Sequence, residues 1–210
     1  MILIAVKNIL CFGDSNTWGA IPGILKRFPK DVRWTGVLAS ELGDEYFIME
    51  DGINGRRTVW DDPGDQCRNG LAALGYSLYR SKPLDLMIVM LGTNDLHHTD
   101  AEGYYRSIRM LGERILKANA SYPGTSDVFP GEARLLLVSP IEILDGPMRP
   151  ESLKFPEMTA RAAEELGVPW LNAAEFAKPD PADNCHMAAD SHLALGKAIA
   201  AKVKEIFSEN

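Results

Sequence analysis

Residues 9–19 read ILCFGDSNTWG, and this stretch decides the fold class. Ile9, Leu10, Cys11 and Phe12 form a short continuous apolar run, the pattern of a strand buried on both faces of a parallel sheet, and Gly13 supplies the turn that ends it. Asp14, Ser15, Asn16 and Thr17 then stand just past the carboxyl end of that strand, where open α/β sheets bind their ligands. Three readings are open here. The polar run caps the next helix, as such side chains often do; it presents Ser15 as a nucleophile; or it cradles a phosphate.

The rest of the chain repeats the same unit. Behind Asp31, read as a helix N-cap, Trp34, Val37, Leu38 and Leu42 recur at helical spacing up to the stop at Gly43. Residues 46–50 are a second strand, followed by a turn-rich segment holding Gly52 and Gly55. After a helix over 70–80, residues 84–91 (LDLMIVML) are the clearest buried strand, and Gly92-Thr93-Asn94-Asp95 stands at its carboxyl end. An amphipathic helix over 101–118, a fourth strand over 134–138, a helix over 152–166, a short fifth strand over 168–171 and a closing helix over 188–207 complete the chain. This alternation predicts a doubly wound three-layer α/β/α sandwich on a flavodoxin-like five-stranded parallel sheet of order 2-1-3-4-5. That order makes Ser15 and Asn94 neighbours.

Composition narrows the function classes. A chain of 210 residues without repeats or a composition shift is read as one domain, 1–210, with a substantial core. A formal net charge of −7, with no basic patch beyond Arg56 and Arg57, argues against nucleic acid as a partner. No apolar run approaches the roughly 20 residues that span a bilayer, so no membrane partner is expected. The first ten residues are broken by Lys7 and Asn8 and lack a basic leader, which does not fit a signal peptide. Three cysteines, Cys11, Cys67 and Cys185, have no paired spacing and do not make a disulfide framework or a zinc ribbon, so the expected location is cytoplasmic. Adjacent His97 and His98 cannot both face one metal in a regular element; they are read as loop or rim residues, and neither metal nor cofactor is expected.

A serine nucleophile needs a base, and the base an orienting acid. His186 follows Asp183 by three residues on a loop before the last helix. A carboxylate so placed can curl back onto the ring nitrogen nearer the backbone, leaving the other nitrogen for Ser15. His192 falls inside the helix and is read as structural. Asp14 adjoins the serine, but successive side chains diverge, so Asp14 and likewise Asp95 are assigned to holding their turns.

Gly13-Asp14-Ser15 after strand one, Gly55 after strand two, Gly92-Thr93-Asn94-Asp95 after strand three and Asp183-x-x-His186 before the final helix resemble, in order and spacing, the four blocks of the SGNH, or GDSL, hydrolase family. The resemblance covers nearly the whole chain. The longer segments Phe12-Gly13-Asp14-Ser15-Asn16-Thr17-Trp18-Gly19, Val32-Arg33-Trp34-Thr35 and Val89-Met90-Leu91-Gly92-Thr93-Asn94-Asp95 look like its bacterial arylesterase and acyltransferase branch. The resemblance implies that Ser15 attacks an ester carbonyl, that His186 serves as base and then acid, and that Asp183 orients it. It further implies an oxyanion hole from the backbone N–H groups of Ser15 and Gly55 and the side-chain amide of Asn94. Met187-Ala188-Ala189 departs from the family's usual helix start after the histidine.

The expected activity is therefore hydrolysis of small carboxylic esters of aryl, alkyl or sugar alcohols through an acyl-enzyme, with acyl transfer to alcohols as an extension. The substrate partner is a small-molecule ester, and the pocket is expected to be rimmed by Trp18, Trp60 and Met148 on the loops over 21–30, 60–69 and 141–150. Exposed apolar residues on those loops leave a homo-oligomer open. Competing readings are a lysophospholipase or thioesterase of the same family, and a non-enzymatic nucleotide- or glycan-binding flavodoxin-like module. The module leaves Asn94 and the Asp183/His186 pair unexplained. Cys185, between the two, suggests an oxidation-sensitive thiol as a minor hypothesis.

Overall fold

Strands β1 (Lys7–Gly13), β2 (Tyr46–Gly52), β3 (Leu86–Met90), β4 (Leu135–Val138) and β5 (Trp170–Leu171) pair in parallel in the order β2-β1-β3-β4-β5. This is the order expected from the alternation of strands and helices. The computed structural model describes residues 6–24 and 26–208. The reading of the chain's start rests partly on residues 1–5, which lie outside the described residues.

The two-residue period of the strands sorts their side chains into two cores. Leu10, Phe12, Met87, Val89, Leu135 and Leu137 face one side, where α3 (Gly70–Ser81), α4 (Ala101–Leu116) and α7 (Phe155–Leu166) cover them. Ile9, Cys11, Leu86, Ile88, Leu136 and Val138 face the other, under α2 (Trp34–Leu42) and α8 (Ala189–Ser208). Both faces of the central strands are dry, which explains why their sequences read as continuous apolar runs rather than alternating ones. Among the described residues no helix is long and apolar enough to cross a membrane.

Local starts and stops differ from the sequence reading where a tertiary partner replaces a local one. Asp31 does not cap α2. The helix begins at Trp34, and its first N–H donates to His192 Nδ1 at 3.2 Å, a residue of α8. The helix expected over 101–118 ends at Leu116, and a separate turn, α5 (Ala118–Ser121), follows. The helix expected over 152–166 is two, α6 (Arg149–Ser152) and α7, because Pro156 in the first turn of α7 has no N–H with which to continue a helix from the preceding turn. The segment over 60–69 is not simply an exposed loop: Asn69 is buried and caps α3 through Ala72 N–H, while its amide donates to Val59 O and Asp61 Oδ1.

Candidate active site

β1 delivers its last residues to the sheet edge between β2 and β3, and the turn that follows is too tight for a side chain at position 13. A Cβ on Gly13 would lie 2.0 Å from Thr17 Oγ1 and 2.7 Å from Met90 O. Asp14 caps the short helix α1 (Ser15–Trp18), its Oδ1 accepting from Asn16 N–H at 2.9 Å. The capping reading of this stretch belongs to Asp14, which holds the turn, while Ser15, the first helical residue, is free to turn its hydroxyl to His186. Burial pushes the Asp14 carboxyl up to about 6, against the pull of the Asn16 N–H and of the Arg56 charge.

His186 Nε2 lies 2.9 Å from Ser15 Oγ, and its Nδ1 lies 2.8 Å from Asp183 Oδ2. Burial alone would raise the Asp183 carboxyl, but it accepts from Gly23 N–H at 2.8 Å, from the His186 ring, and from the backbone N–H groups of His186 and Cys185. Together these donors hold it well below the usual carboxylate range. A carboxylate that stays ionised fixes the proton on Nδ1 and turns the lone pair of Nε2 toward the serine. The loop can fold this tightly because Asn184 adopts φ +66°, a left-handed conformation that asparagine tolerates better than most residues.

Asn16 has a role that sequence reasoning missed. Its Oδ1 accepts from Met187 N–H at 3.0 Å and its Nδ2 donates to Cys185 O at 3.0 Å, so one buried amide grips the chain on both sides of His186. Asp180 N–H donates to His186 O at 2.8 Å from within the same loop.

The opposite wall is built from the turns after β2 and β3. Gly55 sits at φ +78°, a left-handed conformation that favours glycine, whereas the nearest atom to a Cβ there, Arg68 Nη1 at 2.9 Å, is the end of a half-exposed side chain that can yield. Asn94, in the turn Thr93–His97, donates its side-chain amide to Arg56 O at 3.1 Å, which ties it to the residue after Gly55. Asp95 is buried and accepts from Thr58 N–H at 2.9 Å and Thr58 Oγ1 at 2.7 Å, joining the two turns a second time. Burial lifts its carboxyl to about 7 despite those two donors. Asp95 and Asp14 therefore both hold turns, as the sequence suggests.

Arg56, met in the sequence only as half of a basic pair, is the most deeply buried of the arginines among the described residues. It is 1% exposed, its guanidinium lies 3.9 Å from the centre of the Phe12 ring, and it donates to Gly13 O at 3.0 Å and Asp51 Oδ1 at 2.8 Å, as well as to Asp51 O. It welds the carboxyl ends of β1 and β2 together beneath the site. Arginine in a sequence reads as surface, so no signal marked it.

Ser15, Trp18, Gly55, Asn94, Asp183 and His186 line one cleft of about 390 Å³. Ala20, Gly23, Ile24 and Lys26, from the loop over 21–30 and its entry, and Asn54 complete its wall. Trp60 and Met148 do not line it, which corrects the expected pocket. The Trp60 ring stacks on His98 with centroids 6.3 Å apart and planes 5° from parallel, and the loop over 141–150 folds back on itself through Arg149 Nη1, which donates to Ile143 O at 3.0 Å and Leu144 O at 2.7 Å.

Cys185 Sγ stands 3.4 Å from His186 Nδ1, but burial and the Asp183 charge push its thiol up to about 12. It is held as a neutral thiol, which removes the nucleophilic thiolate that the oxidation hypothesis requires. Among the described residues, the group of His, Cys and carboxylate atoms spaced closely enough for a metal is Asp183, Cys185 and His186. Those are the same atoms already engaged with one another. His192 is fully buried, and burial with the nearby Arg33 charge lowers it to about 4; it is a neutral structural histidine.

A family model described as the GDSL-like lipase/acylhydrolase family matches residues 11–195. Similar solved structures include the native aryl esterase of M. smegmatis, 32% identical over 95% of this chain and 99% of that one, with a TM-score of 0.87. Est24, a carbohydrate acetylesterase from Sinorhizobium meliloti, is 33% identical over 95% of this chain and 99% of its own, with a TM-score of 0.87. A carbohydrate acetylesterase family member from the same organism is 28% identical over 97% and 100%, with a TM-score of 0.88. No curated protein matches the chain.

Proposed function

The chain belongs to the GDSL-like lipase/acylhydrolase family and is a carboxylic ester hydrolase, and we propose that it cleaves small, short-chain acyl esters with Ser15 as nucleophile. The observation that carries the reading is the relay from Ser15 Oγ through His186 to Asp183, with contacts of 2.9 and 2.8 Å. As the Ser15 oxygen attacks the ester carbonyl carbon, its proton passes to His186 Nε2, and the ionised Asp183 stabilises the resulting imidazolium. The carbonyl oxygen gains the negative charge and turns toward the backbone N–H groups of Ser15 and Gly55 and the Asn94 amide. Each such donor is typically worth ~2.7–4 kcal/mol of barrier.

Collapse of the tetrahedral intermediate breaks the bond to the alcohol oxygen, which leaves with the proton from His186 Nε2. Water then repeats the sequence on the acyl-serine, with His186 again taking and returning a proton. An added alcohol entering in place of water would carry the acyl group away, so transfer is part of the same proposal. The cleft of about 390 Å³ favours a short acyl group. The aryl and acetylated-carbohydrate specificities named for the similar structures are consistent with a small acyl group on a bulkier alcohol.

Reaction with a fluorophosphonate followed by mass spectrometry tests the assignment. An adduct on Ser15 that is lost in His186→Ala is the expected result, and a folded protein that forms none would remove Ser15 as nucleophile. A series of p-nitrophenyl esters should then peak at short acyl chains.

A further inference from the structure

We infer that the cleft takes esters whose alcohol half carries a carboxylate, recognised by Lys26; this deepens the proposed Ser15 chemistry and rests on it. In a chain of net charge −7, cations around the site are consumed by neighbours. Arg27 and Arg33 pair with Glu50 at 3.3 and 2.9 Å, Arg56 with Asp51 at 2.8 Å and Arg68 with Asp65 at 2.9 Å. Lys26 lines the cleft, and among the described residues its side chain has neither an ion pair nor a hydrogen bond. The acid that shares the cleft wall with it, Asp183, is committed to its own donors from Gly23, Cys185 and His186. The ammonium is left for a ligand.

Its position selects the half of the substrate. The segment bearing Lys26 is closed by the bridge between Ala20 and Arg27 and by Ile21 N–H donating to Lys26 O at 3.0 Å, and Gly23 N–H docks it onto Asp183 at 2.8 Å. It therefore stands on the Asp183 and His186 side of the cleft. The group that leaves is the one protonated by His186, so the alcohol must depart on that side, while the carbonyl oxygen points to Gly55 and Asn94 across from it. Trp18 and the half-exposed Ile24 lie on the same segment and its entry and offer apolar surface for the body of that alcohol. An aromatic or alkyl hydroxy acid, esterified at its hydroxyl, matches all three features. Hydrolysis adds water across the acyl–oxygen bond and releases the acyl acid and the free hydroxy acid, with no other reactant.

The test compares 4-acetoxybenzoate with its methyl ester, methyl 4-acetoxybenzoate, in wild type, Lys26→Gln and Lys26→Glu. The ratio of kcat/KM for the charged over the neutral substrate is expected to fall about three- to tenfold in Lys26→Gln, between the effect of an exposed ion pair and that of a buried charge-assisted hydrogen bond. It should fall further in Lys26→Glu, and raising the salt to about 0.5 M should shrink the difference between the proteins. A ratio that moves less than about twofold in both variants, while the methyl ester is still turned over, overturns the role of Lys26 alone. A folded wild type that turns over neither ester overturns the Ser15 chemistry beneath it.

Discussion

Asn16 offers the sharpest test of how the site is held. Replacing it with alanine removes the acceptor of Met187 N–H and the donor to Cys185 O, both at 3.0 Å. Met187 is fully buried, so its N–H would be left without a partner at a cost of about 1–3 kcal/mol, and the Cys185 carbonyl, nearer solvent, would lose about 0.5–1.5 kcal/mol. The sum, about 1.5–4.5 kcal/mol, corresponds to a fall in Tm of roughly 3–18 °C for a chain of this size. The fold should survive, because the loop keeps the donors to Asp183 and the bond from Asp180 N–H to His186 O.

What the loop loses is its register against Ser15. A displacement of about 1 Å between nucleophile and base can cost on the order of 10² in rate, so kcat should drop about 10- to 100-fold with little change in KM. Asn16→Asp keeps the acceptor for Met187 but places an oxygen against the Cys185 carbonyl, and should fall between wild type and alanine. The assay is the second-order rate of fluorophosphonate labelling at Ser15 together with p-nitrophenyl acetate turnover, both well below Tm. A variant whose Tm falls as expected while labelling and turnover stay within about twofold of wild type would refute the positioning argument and leave Asn16 a purely structural clamp.

Two further outcomes follow from the same geometry. Asn94→Ala should lower kcat by about 10²–10³ with a small change in KM, since the amide is proposed to meet charge that exists only in the transition state; steady-state kinetics on a short-chain ester reads this directly. Asp95 titrates in the fold at about 7, above the ordinary 3.8, so the native state binds its proton more tightly than the unfolded chain does. Its contribution is full below about pH 4 and is lost as pH rises through 7, and thermal melts should show that component of the decline disappearing in Asp95→Asn. His192 works in the opposite sense, its lowered value near 4 making the fold less stable as pH falls from about 6.5, so the comparison must be wild type against variant at each pH.

Periodicity carried a large part of the fold. Leu10 and Phe12 facing one core, with Ile9 and Cys11 facing the other, follow from alternation along a strand that is buried on both sides. Such patterns are local and survive in the sequence. Helix ends were less legible where the partner is distant: the first N–H of α2 is satisfied by His192, and nothing near Asp31 signals that. The placement of Trp60 and Met148 failed for a similar reason. Both stand in loops that sequence order brings to the active edge, and Leu144 N–H does reach Asn184 O there at 2.9 Å, but Trp60 stacks on His98 and Arg149 ties the second loop to its own Ile143 and Leu144 carbonyls, so neither Trp60 nor Met148 lines the cleft.

By itself the sequence determined the strand order, and it marked Ser15, Asn94, Asp183 and His186 as the residues to be gathered at one edge of the sheet. Each of these stands at the end of a strand or three residues from its partner, positions that hydrophobic patterning and chain order specify. Only the tertiary structure decided what holds them there and which charge beside them goes unpaired. Asn16 reaches Cys185 and Met187 across 169 and 171 residues of chain, Arg56 is buried under the turn it pins, and Lys26 is left unpaired in the cleft among the described residues. A hydrogen bond or an unspent charge depends on where loops meet in space, and that meeting leaves no period in the chain for a reader to find.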